Sequence, residues 1–245
     1  MLIDLNGLKT ALTAVLNTIG NKMDKNNPSG TGSFSLNRKE GSTIGNHSVA
    51  IGEETTASAT ASFAEGAGTT ASSSCSHAEG YCTTATGELA AHAEGISTTA
   101  SDEAAHAEGQ GTTASGRYSH AEGVSSTASG EGAHAEGLGV LAYGEGSHAE
   151  GLDTKASSKY QHVQGQFNIE DSNNVYAHIV GNGIYDQETN QEVRSNAHTL
   201  DWNGNAWFSG NIKIGGASQE DTTASSVLTT ANFVLDGTTL TITTS

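Results

Sequence analysis

Through the middle of the chain, apolar and polar residues alternate in short bursts, and the bursts recur. Ser-His-Ala-Glu-Gly at Ser76 to Gly80 returns, with Ser or Ala first, at Ala91, Ala105, Ser119, Ala133 and Ser147. Closing glycines fall at Gly52, Gly66, Gly80, Gly95, Gly109, Gly123, Gly137, Gly151 and Gly165. Seven of the eight intervals are 14 residues, and the one from Gly80 to Gly95 is 15. A second segment keeps phase: Thr-Thr-Ala-Ser at Thr55, Thr69, Thr98 and Thr112, with variants at Thr83, Ser126, Val140 and Thr154. Fourteen residues are too few for a helix-turn-helix repeat but enough for one narrow coil of two short strands and two turns. The pattern therefore predicts an all-β fold, a parallel solenoid of stacked coils.

Period-two alternation puts Ser76, Ala78 and Gly80 on one strand face and His77 and Glu79 on the other. The Ala face points inward, because a thin coil admits only small side chains. His and Glu then face outward. Stacking at about 4.8 Å builds a ladder of His77, His92, His106, His120, His134, His148 and His162. A second ladder of Glu79, Glu94, Glu108, Glu122, Glu136 and Glu150 stands beside it. Ser and His point opposite ways within a unit, so a Ser-His-Glu triad is excluded. The first coils differ: Val49 and Ile51 take the His and Glu positions, and Phe63 and Glu65 are intermediate. A position that accepts Val, Phe or His reads as an interface. The expectation is a ladder lining the trimer axis or the subunit seams, with His donating to Glu across chains, since stacked carboxylates repel unless a partner offsets them; a solvated face with no special role is the alternative. His-x-Glu also puts two metal-binding groups on one side of a strand, but no Cys or Asp completes a ligand set. No metal, cofactor or catalytic residue is expected. Regular Thr rows raise an ice-binding surface as a distant alternative, interrupted by Val140-Leu141 and Asp153-Thr154-Lys155.

The ends read differently. Leu5, Leu8, Leu12, Val15 and Ile19 form an a/d seam, predicting a helix over residues 1–24, as a short trimeric coiled coil or an attachment helix. Residues 25–40 are linker and first coil, with Asn26-Asn27-Pro28-Ser29-Gly30 as the break. The roll is assigned to 41–165. Larger β-prone residues from Val163 and Phe167 to Ile184 and Tyr185 predict a β cap over 166–215, closing the unpaired last coil. Within it Asn203-Gly204 signals a two-residue hairpin turn, and Trp202 and Trp207 are expected in the cap core. Residues 216–245 are a linker, Ala217 to Ser226, and a hairpin turning at Asp236-Gly237.

Composition supports something thin. The chain has 245 residues with 31 Gly, 1 Pro and 5% aromatic residues. Such small side chains bury little apolar area and cannot fill a wide core. The formal net charge is -17 and no basic run occurs, which argues against a nucleic-acid partner or an anionic membrane surface. No stretch approaches the roughly 20 apolar residues of a membrane span, and no signal peptide is visible. Cys75 and Cys82 are expected free and reduced.

The cadence Gly45-Asn46-His47-Ser48-Val49-Ala50-Ile51-Gly52 followed by Thr-Thr-Ala-Ser resembles the head repeat of trimeric autotransporter adhesins. The His-Ala-Glu-Gly variant is similar to repeats of bacteriophage tail-fibre and related prophage structural proteins, as are Lys159 to Gly183 and Arg194 to Gly210 after it. The resemblance covers roughly residues 40 to 215. It implies a left-handed β-roll assembled as a homotrimer. The absence of a secretion signal and a membrane-anchoring barrel favours the phage reading over an adhesin. The expected function is a non-enzymatic fibre or spacer of a virion tail, assembled in the host cytoplasm. Its N-terminus would join other tail or baseplate proteins, and its cap would meet a host-surface glycan or protein. A bacterial cell-surface adhesin head is the alternative, and an ice- or metal-binding solenoid a distant one.

Overall fold

The structure, a computed structural model, describes residues 5–22, 32–210, 231–236 and 239–244, with side chains over 7–15 and 32–210. The repeat folds as a solenoid. Eleven long strands, from Phe34–Leu36 and Val49–Glu53 through His162–Gln166 to Tyr176–Asn182, stack in parallel in one sheet. Eight two-residue strands, from Thr56–Ala57 to Lys155–Ala156, stack in parallel in a second. Each coil bonds to the next through its backbone: the His106 N–H donates to Ser119 O and the Thr113 N–H to Ser126 O, both at 2.9 Å.

The interior is a column of methyl groups. Ala78, Ala93, Ala107, Ala121 and Ala135 enter from the long strands and Ala85, Ala100, Ala114 and Ala128 from the short ones, all with no exposed surface. The first residue of each Thr-Thr pair, such as Thr69, Thr83, Thr98 and Thr112, is buried among them, and Val140 takes that place in one coil. The closing glycine is required twice over. Gly109 has φ +103°, and a Cβ there would lie 2.1 Å from Gly123 O of the next coil. The same approach, 1.9–2.3 Å, recurs at each closing glycine from Gly52 to Gly165. Serine at the start of the unit acts locally. Ser76 Oγ donates to Ser73 O and Ser119 Oγ to Gly116 O, both at 2.6 Å. These hydroxyls tie down turns on the strand face opposite the histidines. Among the described residues the buried Thr hydroxyls do not bond to one another along the row. Thr112 and Thr154 donate instead to Glu108 O and Glu150 O of their own coil, at 3.0 Å. The hydroxyls of Thr69, Thr83 and Thr98 have no hydrogen-bond partner.

The parallel ladder runs one coil past residue 165, with Val163 pairing Ile179 where Ala stood before. Then Asn196–Asp201 and Ala206–Phe208 continue the long sheet antiparallel. The short sheet ends at Lys155–Ala156, and a side chain takes the place of its next strand. Asn168 Oδ1 accepts from Lys155 N at 2.7 Å, and its Nδ2 donates to Lys155 O at 3.1 Å. Gln161, fully buried where other coils have Ser or Ala, donates to Asp171 Oδ2 and Tyr176 O and accepts from Ser157 N and Ser158 N.

Two expectations at this end need correction. The hairpin at Asn203-Gly204 closes one residue wider: Asp201 N–H donates to Asn205 O at 2.9 Å, so Trp202 lies in the loop rather than on a strand. Gly204, at φ +85°, and the carboxylate of Asp201, which accepts from Asn203 N and Asn205 N, set that loop. Trp202 and Trp207 are therefore 47% and 56% exposed and fill no core within the chain.

The helix spans Leu5–Lys22. Leu8, Leu12 and Val15 of the expected seam are each more than half exposed in the single chain; the side chains of Leu5 and Ile19 lie outside the described residues. So do both linkers, Asn26 to Gly30 and Ala217 to Ser226. Ala231–Asp236 and Thr239–Thr244 form the expected terminal hairpin, with Asp236 opposite Thr239; Gly237 itself lies outside the described residues. No described helix is long and apolar enough to cross a membrane. Cys75 and Cys82 are exposed and unbridged.

Candidate functional site

The most developed side-chain arrangement is the outward face of the long sheet. In-register pairing from His77 to His162 places one imidazole above another, and the rings stack face to face at 4.6–4.8 Å with interplanar angles of 1–15°. That spacing is the coil rise, so the backbone ladder dictates the stack. Two members are absent from the repeat pattern. His178 continues the stack at 5.2 Å and His198, arriving on an antiparallel strand, at 5.5 Å. Phe63 closes one end, edge-on to His77 at 4.9 Å, and Phe208 the other, 4.6 Å from His198. Val49 and Ile51 precede Phe63 and Glu65 in register.

The carboxylates stand alongside, and their contacts with the imidazoles are long. His77 and His92 Nε2 lie 3.4 and 3.5 Å from Glu79 and Glu94 of their own strands. His120 Nε2 lies 3.6 Å from Glu108, and His134 Nε2 3.9 Å from Glu122, each on the preceding coil. His162 does reach hydrogen-bond range, 3.2 Å from Glu150. Nε2 of His77, His92, His106, His120, His134 and His148 is closed to solvent and has no hydrogen-bond partner. An orphaned polar atom of this kind costs about 1–3 kcal/mol. Burial, followed by the flanking imidazoles, holds His92, His106, His134 and His178 below the ordinary histidine value. Hydrogen bonding with Glu108 and Glu136 pushes the Glu122 carboxyl up to about 7, and the same bonds hold those two neighbours low. The Glu108, Glu122 and Glu136 carboxyls thus share protons, because like charges stacked at this spacing disfavour full ionisation. Among the described ion pairs they meet only imidazoles, never Lys or Arg.

A third row runs beside them, at the residue after each closing glycine. Tyr81, Ile96, Gln110, Val124, Leu138 and Leu152 are in register along the roll. Tyr81, Ile96, Val124 and Leu138 are 40–59% exposed. Sequence reasoning passed over this row because its residue identity varies, although its phase is constant.

A separate depression of about 420 Å³ lies past the last coil, lined by Ile169, Tyr176, Asn196, Thr199 and Trp207. It pairs exposed aromatic surface with amide and hydroxyl groups.

No known protein family matches the chain, and no curated protein is significantly similar to it.

Proposed function

We propose that the chain is a structural, non-enzymatic fibre protein of a phage tail or phage-like particle. It acts as a homotrimer whose long-sheet faces meet along the subunit seam. The observation that carries the assembly is the shared period of the three outward rows. Imidazoles, carboxylates and exposed apolar side chains all repeat at the coil rise over the length of the roll. A partner that stays in contact along such a face needs the same rise, and another copy of this chain has it. The exposed Tyr81, Ile96, Val124 and Leu138 give that contact an apolar component, and Val49 and Ile51 extend it into the coil before Phe63. The phage assignment rests on the resemblance of the His-Ala-Glu-Gly and Thr-Thr-Ala-Ser cadence to phage fibre repeats. A left-handed winding, a cap over residues 166–215, attachment to baseplate proteins through the N-terminal helix, and host-surface contact at the depression near Trp207 belong to the same reading. The trimeric autotransporter adhesin head is the second reading, favoured by the Val49 and Ile51 coil; a gene neighbourhood of tail and baseplate genes separates the two.

Light scattering on the full chain tests the assembly. The expected mass is three times the 24.9 kDa chain, and Leu138→Asp is expected to lower it by burying a charge at the seam. A monodisperse single-chain mass overturns the trimer.

A further inference from the structure

The long imidazole–carboxylate contacts have a second reading that needs no partner chain. At 3.6–3.9 Å they are too long for hydrogen bonds. Two ligand atoms bound to one tetrahedral metal ion through bonds of about 2.0–2.2 Å stand about 3.4 Å apart. The sequence lacks a third ligand within any one unit, but the stacking supplies one from the next coil. His134, Glu136 and His148 bring three ligand atoms within 4.8 Å of one another, and Glu108, His120 and Glu122 do the same two coils away. Nε2 of His120, His134 and His148 has no hydrogen-bond partner.

We propose that this face binds divalent transition-metal ions between adjacent coils. One ion is held by a ring nitrogen each of His134 and His148 and by a Glu136 oxygen; the two rings, stacked 4.7 Å apart, tilt towards one another to bring both nitrogens onto it. A second is held by His120 Nε2 with Glu108 and Glu122 oxygens. A set of imidazole nitrogen and carboxylate oxygen without thiolate suits Zn²⁺, Ni²⁺ or Co²⁺ over softer Cu⁺ or harder Mg²⁺. Three protein ligands leave a position for water or for a group from another molecule. The ion satisfies the orphaned nitrogens, and at the second site its charge offsets two stacked carboxylates that meet no Lys or Arg among the described residues. A bound ion also clips neighbouring coils together, so it stabilises the roll by binding the folded form alone.

The test uses the full-length, tag-free chain with Cys75→Ser and Cys82→Ser, which removes the exposed thiols as competing ligands. The protein is stripped with a chelator, dialysed and titrated with ZnCl₂ in a calorimeter. The expected result is two ions per chain and a higher unfolding temperature with zinc. His134→Asn/His148→Asn is expected to lose one ion and His120→Asn the other. Should the histidine variants misfold, Glu136→Gln and Glu108→Gln, changed at half-exposed carboxylates, are expected to weaken the corresponding sites at least tenfold. Titration with Co²⁺ is expected to give visible absorption of a tetrahedral nitrogen–oxygen site, lost in the same variants. Absence of saturable uptake, or uptake unchanged by all these variants, overturns the proposal. The proposal stands apart from the trimer. A trimer that takes up no zinc removes the metal site and leaves the seam, whereas a monomer that takes up two ions does the reverse.

Discussion

A methyl group added at Gly109 would sit 2.1 Å from the carbonyl oxygen of Gly123, on a backbone whose φ of +103° already disfavours any side chain. Neither the backbone nor the stacked coil can yield without spreading the ladder. Gly109→Ala is therefore expected to destabilise the fold by about 3 kcal/mol or more, at the upper end of single substitutions. Gly132 is the control: its φ is +62°, but a Cβ there meets nothing within 4 Å. Gly132→Ala is expected to cost only about 1 kcal/mol, the left-handed penalty alone. Equal losses in chemical denaturation would mean that coil contact is not what selects glycine. The buried Thr row allows a finer comparison. Thr98 Oγ1 is buried without a partner, and Val140 already occupies the same row in another coil. Thr98→Val is expected to stabilise by about 1 kcal/mol, because it removes an unsatisfied hydroxyl. Thr112 Oγ1 donates to Glu108 O at 3.0 Å, so Thr112→Val is expected to destabilise by about 1 kcal/mol. A denaturation midpoint that moves the same way for both would refute the distinction.

At the scale of elements, the short sheet is the more exposed to fraying, since each strand is two residues long. Its end at Lys155–Ala156 is closed by the Asn168 amide, which pairs both backbone groups of Lys155 and also donates to Ile169 O at 3.0 Å. Asn168→Ala is expected to cost about 2 kcal/mol by orphaning buried backbone groups. Hydrogen exchange should then accelerate at Lys155 while the His106 amide stays protected; uniform acceleration would show that the amide does not act locally. This element marks where the sequence stops being legible. The coils could be read because a thin interior is filled almost throughout by Ala, Thr and Ser, with Val140 an exception, which makes inward and outward positions visible as period two. The His and Glu ladders followed from that. The end could not be read in the same way. Gln161, Asn168 and Asp171 look like loop residues, and only adjacency between consecutive coils gives them buried partners. His178 was hidden by a 16-residue step from His162, His198 by its antiparallel strand, and Trp202 by a loop wider than its Asn-Gly signal implied. The apolar row from Tyr81 to Leu152 was in phase throughout but varied in identity. The metal-ready groups draw ligands from two coils, which a search within one unit does not find.

For the molecule as a whole, the coil is the unit of length, and each coil touches only its neighbours. Stability then accumulates as a sum of coil and interface contributions, so whole coils can be removed without changing the fold of the remainder. Deleting residues 107–134, two complete 14-residue periods, joins His106 to Ala135 and restores His-Ala-Glu-Gly at the junction. The register pairs His106 with His120 and His120 with His134, so the shortened roll keeps its Ala column, glycine column and outward rows in phase. Deleting residues 107–127 removes one and a half periods. It joins His106 to Ala128, so a long strand runs directly into a short-strand segment and the sheets change places. The first deletion is expected to fold with an unchanged β spectrum and a modestly lower unfolding temperature. The second is expected to aggregate, because five-residue long strands would have to pair with two-residue short ones, leaving backbone groups of the ladder unpaired. If both deletions fold equally well, coil register is not what organises the chain. If the first fails, the roll behaves as one indivisible unit, and the account of stability accumulating from coil to coil must be abandoned.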